Sequence, residues 1–216
     1  MIYDITKRTI DIVLALFLLI IFVPVMLITA VLIKITAPGP IFVESDNKSS
    51  RRVGIKGRLF RLYKFRSMIV NAHDLMKTDP KFKKLYIEYK KSSYKLFKDP
   101  RVTPLGRVIR KYSIDETPQF FNVVKGEMSI VGPRAYLPDE LEDQQKKYPS
   151  TKKLVKEMLE IKPGITGYWQ VTGRSEVNFD KRIEMDAYYA RKRSIILDVL
   201  ILLKTPWAML TGKGAV

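Results

Sequence analysis

An aspartate and a glutamate stand side by side at Asp115 and Glu116, with Arg110 and Ser113 just ahead of them. Such a pair can divide labour on a diphosphate. One carboxylate attacks phosphorus, while the other holds a cation such as Mg²⁺ that neutralises the phosphate charge. Ser113 three residues before Glu116 also matches a capping box, which gives the glutamate a purely structural reading. Pro118 suits the first turn, so the helix can begin a residue or two later. With either start the acidic pair lies near a helix N-terminus, where carboxylates and phosphates are both favoured. An Asp-Glu pair alone is a weak signal, and its surroundings decide its meaning.

Those surroundings are rich in groups that suit phosphate. Residues 128–134 read as a short buried strand ending in a turn that displays Arg134. Residues 162–174 place glycine turns around another strand and end at Arg174. Guanidinium forks match phosphate geometry, and glycines permit close approach of backbone to ligand, although each glycine also reads as an ordinary turn. Residues 59–66 alternate apolar and basic side chains, as in a strand. That alternation puts Lys64 and Arg66 on one face, where they could grip one phosphate together. Cysteine is absent and His73 is the only histidine. Thiol catalysis and disulfides are therefore excluded, a zinc site is disfavoured, and His73 reads as a surface residue.

The elements that must position these groups begin with a membrane segment. Residues 12–33 are apolar apart from Pro24 and Thr29. As a straight helix they would reach about 33 Å, enough to cross a bilayer core. A cleavable leader fits poorly, because the run is long and no small-residue cleavage site follows. Pro24 deletes a helix hydrogen bond mid-segment. Lys7 and Arg8 precede the run, while Lys34, Lys48, Arg51 and Arg52 follow it. Basic flanks on both sides favour one cytoplasmic face for both ends. A re-entrant helix broken at Pro24 satisfies both facts. Asp11, at the interface end, requires a partner such as Lys7 or Arg8.

The 216-residue chain carries a net charge of +17 and is 46% hydrophobic. Between Asn47 and Ser113 stand 20 Lys and Arg against 4 Asp and Glu. Such a surplus attracts phosphates, nucleic acid or an anionic membrane face without choosing among them. Residues 41–43 read as a short strand, and 71–98 as helical with many exposed lysines. Residues 195–203 are too short to span a membrane. With Trp207 and neighbouring basic residues they fit either a helix in the headgroup layer or a buried core helix. These readings give an α+β chain: a re-entrant membrane helix over 1–36, a small mixed α/β catalytic domain with short strands over 37–190, and an interfacial amphipathic tail over 191–216.

In order along the chain stand Lys7-Arg8 with Asp11, Pro38-Gly39-Pro40, residues 63–68 (YKFRSM) and Asp99-Pro100-Arg101. They are followed by 113–119 (SIDETPQ), 122–129 (NVVKGEMS), 131–134 (VGPR), 163–167 (PGITG) and 186–189 (DAYY). Together they resemble the monotopic phosphoglycosyl transferases, a bacterial sugar transferase family, over nearly the whole chain. The resemblance implies transfer of a sugar-1-phosphate from a UDP-sugar to undecaprenyl phosphate at the bacterial inner membrane, facing the cytoplasm. It implies Asp115 as the nucleophile, a covalent phosphosugar intermediate, release of UMP, and Glu116 as a Mg²⁺ ligand. Arg110 and Arg134 match phosphate-handling positions, and Asp186 matches an acidic site residue of open role.

This chain departs from the family pattern at Val23, where serine is frequent, at Ala135, where many members have a second proline, and in the long stretch 71–98. That stretch, with Tyr168-Trp169-Gln170, resembles members that prime exopolysaccharide or capsule synthesis with a hexose. The rival reading is a basic membrane-anchored protein that binds nucleic acid or anionic lipid without chemistry. It gives no reason for an acidic pair among arginines, so no nucleic-acid partner is expected. The oligomeric state, a homodimer included, stays open.

Overall fold

The computed structural model describes residues 2–43, 51–92, 94, 96, 98–172 and 177–210. It is an α+β fold led by a long apolar helix, as expected. Helix α1 (Ile2–Thr36) is continuous over 35 residues and runs through Pro24. Its buried residues Asp11, Ala15, Leu19, Met26, Thr29 and Ile33 recur at helical spacing and form one stripe. That stripe packs on α5 (Gln119–Lys125) and β3 (Ser129–Val131), with Phe22 stacked on Phe120. The opposite side exposes Val13, Phe17, Ile20, Leu27, Ile28 and Val31. A helix this apolar and this exposed is long enough to enter a membrane.

Both ends of α1 are fastened to the same domain. Arg8 donates to the carbonyls of Val123 and Val124 at 2.6 and 2.9 Å. Asp11 pairs with Lys7 at 2.8 Å and accepts from Ser129 Oγ and the Ile130 N–H at 2.6 and 3.0 Å. Just beyond the other end, Arg66 donates to the carbonyls of Pro38 and Ala37 at 2.7 and 2.5 Å. Of the two partners expected for Asp11, Lys7 takes the role and Arg8 goes to helix-end carbonyls.

Strands β1 (Arg51–Val53) and β2 (Leu59–Arg61) pair antiparallel. β3 pairs parallel with β4 (Gly164–Thr166), Ser129 opposite Gly164. The expected strand at 41–43 amounts to a single bridge between Phe42 and Phe65, whose rings stack at 5.2 Å. At the β3–β4 end the backbones touch: a Cβ on Gly132 would lie 2.6 Å from the Gly164 nitrogen. These glycines are fixed by close approach rather than by turn geometry.

The stretch 71–98 is not one helix. It divides into α2 (Ala72–Thr78), a 3₁₀ turn at Pro80–Phe82, and α3 (Lys83–Lys91). Pro80 forces Asp79 into an extended conformation, and the Asp79 side chain then caps the turn. The strand expected within 162–174 is β4, and after it the chain forms a short helix, α8 (Tyr168–Thr172). Helices α6 (Pro138–Lys147), α7 (Lys152–Met158) and α9 (Phe179–Lys192) build a second core around Tyr136, Leu141, Met158, Phe179 and Ile183. Helix α10 (Ile195–Leu210) outruns the apolar stretch that announced it. Asp198 and Ile201 are buried, while Ile196, Leu200, Leu203 and Trp207 are exposed. One side of α10 is thus core, and the other presents apolar side chains outward.

Candidate active site

The acidic pair is presented by a tight backbone device. Helix α4 (Pro104–Lys111) is capped by Thr103, whose Oγ1 accepts from the Gly106 N–H at 2.9 Å. Gly106 is required there, because a Cβ would fall 1.9 Å from the Ser67 carbonyl. Ser113 then takes the left-handed conformation, φ 55° and ψ 23°. The expected capping box does not form: Ser113 lacks the extended backbone of an N-cap, and its side chain makes no capping bond. Ile114–Glu116 instead make a 3₁₀ turn that leads through Pro118 into α5.

Opposite this turn runs the segment carrying Lys64. The Phe65 N–H donates to the Asp115 carbonyl at 2.9 Å. Buried Asn122 accepts from the Tyr63 N–H at 2.9 Å and donates to the Arg61 carbonyl at 2.6 Å. Lys64 is therefore held from both sides. Its Nζ lies 3.0 Å from Asp115 Oδ2 and 3.0 Å from Glu116 Oε1. The contact to Glu116 is a hydrogen bond, whereas no donor among the described residues is aligned for one with Asp115 Oδ2.

Burial is the largest influence on all three groups, and the pair splits under it. Asp115 is only 2% exposed, and its carboxyl is pushed up by burial, with the Lys64 charge opposing. Glu116 also feels burial, but the charge and hydrogen bond of Lys64, with Arg134 and Arg110, hold it below the ordinary value. Burial alone would lower Lys64; the two carboxylates outweigh it and raise the amine.

These groups line a cavity of about 420 Å³ together with Arg52, Arg66, Arg110 and Arg134. Arg134 follows the β3 turn, with its guanidinium 5.5 Å from the Trp169 ring and 5.8 Å from the Tyr136 ring. Asp186 is fully buried behind it, accepting from the Arg134 N–H at 3.2 Å and the Tyr136 hydroxyl at 3.3 Å. Asp186, whose role the resemblance left open, does not line the cavity and fixes the Arg134 backbone from behind. Arg66 lines the cavity beside Lys64 and also donates to the two carbonyls after α1. Arg174 lies outside the described residues.

A cavity built of arginines around two unlike carboxylates is arranged for phosphoryl chemistry. A sequence profile described as bacterial sugar transferase matches residues 2–212. The chain belongs to the bacterial sugar transferase family. Among relatives of this sugar transferase, an undecaprenyl-phosphate galactose phosphotransferase of Salmonella typhimurium is 42% identical over 97% of the chain and 41% of that protein. The exopolysaccharide production protein ExoY of Sinorhizobium fredii is 37% identical over 98% of the chain and 88% of its own length. A UDP-N-acetylgalactosamine-undecaprenyl-phosphate N-acetylgalactosaminephosphotransferase of Aeromonas hydrophila is 39% identical over 99% of the chain and 46% of that protein. The chain thus spans less than half of two of these relatives.

The donor set of the cavity could hold Mg²⁺ in one manner. Among the described residues no group of three or more His, Asp or Glu could cage a metal. Glu116 is part-exposed to the cavity and Asp115 Oδ2 lacks a directed donor, which suits an ion whose other ligands are phosphate oxygens and water.

Sequence reasoning missed several lining residues. Arg52 had been counted only as a membrane flank. His73 lines the cavity 3.8 Å from Asp139 rather than open surface, and burial with the Lys77 charge lowers its pKa. Glu140 carried a readable signal: it shares the helical period of Leu137, Leu141 and Gln144, and so falls on the buried face of α6.

Proposed function

We propose that this sugar transferase moves a sugar-1-phosphate from a UDP-sugar to undecaprenyl phosphate through a covalent bond to Asp115. The observation that carries this reading is the buried Asp115 carboxylate, bridged to Glu116 by Lys64 at the wall of an arginine-lined cavity. The names of the Salmonella and Aeromonas relatives support the two substrates.

In the first step an Asp115 oxygen attacks the sugar-bearing phosphorus. The bond from that phosphorus to the bridging oxygen breaks, and UMP leaves with the electron pair. In the second step a phosphate oxygen of the lipid attacks the same phosphorus, the bond to Asp115 breaks, and the carboxylate returns. Arg110 and Arg134 hold the diphosphate oxygens, and Lys64 keeps both carboxylates charged until phosphate arrives. Glu116 would hold Mg²⁺, which when bound would neutralise charge on the diphosphate and on the leaving UMP. Water is kept from the acyl phosphate by the burial of Asp115.

The membrane seat belongs to the same proposal. Basic residues flank α1 on both sides and both of its ends bind one domain, which supports a re-entrant path with the cavity facing the cytoplasm of the inner membrane. Asp115→Asn tests the chemistry. It removes UMP release and the phosphosugar mass adduct while leaving the melting temperature within a few degrees; UMP release at the wild-type rate would overturn the nucleophile assignment.

A further inference from the structure

Two further carboxylates line the cavity: Asp99 is paired with Arg101 at 2.6 Å, and Glu140 is given no task by the reaction above. It is 2% exposed and lines the cavity together with Arg52 and Arg134. Arg52 and Arg134 are within electrostatic reach of both Glu140 and Glu116. Glu140 therefore stands a short way from the acidic pair, across the cations that suit the diphosphate.

Two ordinary explanations do not account for it. Acids in a first helical turn complement the helix dipole, but Asp139 already does so on the outside, paired with Lys77 at 2.6 Å. A counter-ion to buried Arg182 is the other. The closest approach is 3.8 Å, beyond hydrogen-bond length. Arg182 Nε and Nη1 have no hydrogen-bond partner among the described residues, so the contact is a long ion pair that leaves the acceptor capacity of the Glu140 oxygens unused. Burying a carboxylate without hydrogen bonds is costly, and such a group needs donors.

The chemistry of a nucleotide sugar supplies them. Its phosphates are acceptors and repel a carboxylate, whereas its ring hydroxyls are donors. We propose that Glu140 is a recognition residue that accepts hydrogen bonds from ring hydroxyls of the bound nucleotide sugar and thereby selects among UDP-sugars. This rests on the UDP-sugar reading of the cavity. The hydroxyls of the hexose and of the ribose share this chemistry.

The experiment uses the full chain in detergent with undecaprenyl phosphate. UMP release is measured for UDP-glucose, UDP-galactose, UDP-N-acetylgalactosamine and deoxyhexose analogues, and UDP serves as competitive inhibitor. For Glu140→Gln the KM of the best wild-type substrate rises about tenfold, the loss expected for a hydrogen bond to a charged group. Wild type loses a similar factor on the deoxy analogue lacking the bound hydroxyl, and the variant loses nothing further. Unchanged UDP inhibition assigns the hexose; weakened UDP inhibition, matched in wild type by 2′-deoxy-UDP, assigns the ribose. Unchanged KM overturns the proposal. So does an equal loss on all substrates with a lowered melting temperature that Glu140→Asp restores, because that is the behaviour of a counter-ion. If wild type releases UMP from no UDP-sugar, the reading beneath it fails first and takes this one with it.

Discussion

Lys64 decides how the two adjacent carboxylates share the work. Asp115 must be ionised to attack, yet burial pushes its carboxyl up, and the Lys64 charge is the largest influence against that push. Removing the charge in Lys64→Met raises Asp115 further. The acid limb of kcat/KM then moves to higher pH, and activity near neutrality falls about a hundredfold, as for loss of a preorganised charge. A pH–rate profile checks this; a limb that stays in place would separate Lys64 from the nucleophile. The acidic pair was legible in the sequence through the arginines and glycine turns around it, since the pair alone is a weak signal. Its partner was not. Strand alternation joined Lys64 to Arg66, but β2 ends at Arg61 and Arg66 is claimed by carbonyls of the chain leaving α1.

Asp186 gives a residue-scale prediction about stability. Burial raises its carboxyl from 3.8 to about 7. The folded state therefore holds a proton that the unfolded chain releases, and stability falls as pH rises from about 4 to about 7. Asp186→Asn removes this titration. The melting temperature of wild type declines across that window more steeply than that of the variant. Parallel curves would mean that Asp186 titrates as it does in the unfolded chain.

Helix α1 carries the claim that belongs to elements. Its apolar run was plain in the sequence, and so was the charge that demanded a partner at Asp11. The stripe at Ala15, Leu19, Met26 and Ile33 that seats it on α5 was hidden, because nearly every position in the run is apolar and periodicity has little to contrast. The natural absence of cysteine makes topology measurable. Ile5→Cys and Ile35→Cys, both at exposed positions, place single thiols near the two ends. An impermeant thiol reagent labels both from the cytoplasmic face if α1 returns to its own side, and from opposite faces if it spans. Adding Pro24→Leu restores a helix hydrogen bond mid-segment and shifts labelling toward opposite faces. Unchanged labelling would remove Pro24 from the account.

At the scale of the molecule, two helices with exposed apolar sides accompany a strong basic surplus. Asp198 of α10 joins Lys7 of α1 at 3.3 Å and accepts from the Tyr3 hydroxyl at 3.3 Å, so the two helices start side by side. Charge alone fits nucleic acid equally well, but it leaves the outward Leu203 and Trp207 without purpose. If those side chains sit among lipid headgroups, each contributes on the order of 2 kcal/mol of apolar burial. The double variant Leu203→Asp, Trp207→Asp forfeits that seat while α1 still holds the protein in the membrane. Turnover of undecaprenyl phosphate in vesicles then falls at least tenfold, because the cavity no longer lies at headgroup depth. Turnover of a short-chain polyprenyl phosphate in detergent stays near wild type. Loss in both media would make α10 only a core helix, and loss in neither would leave α1 as the sole determinant of how the cavity meets its lipid substrate.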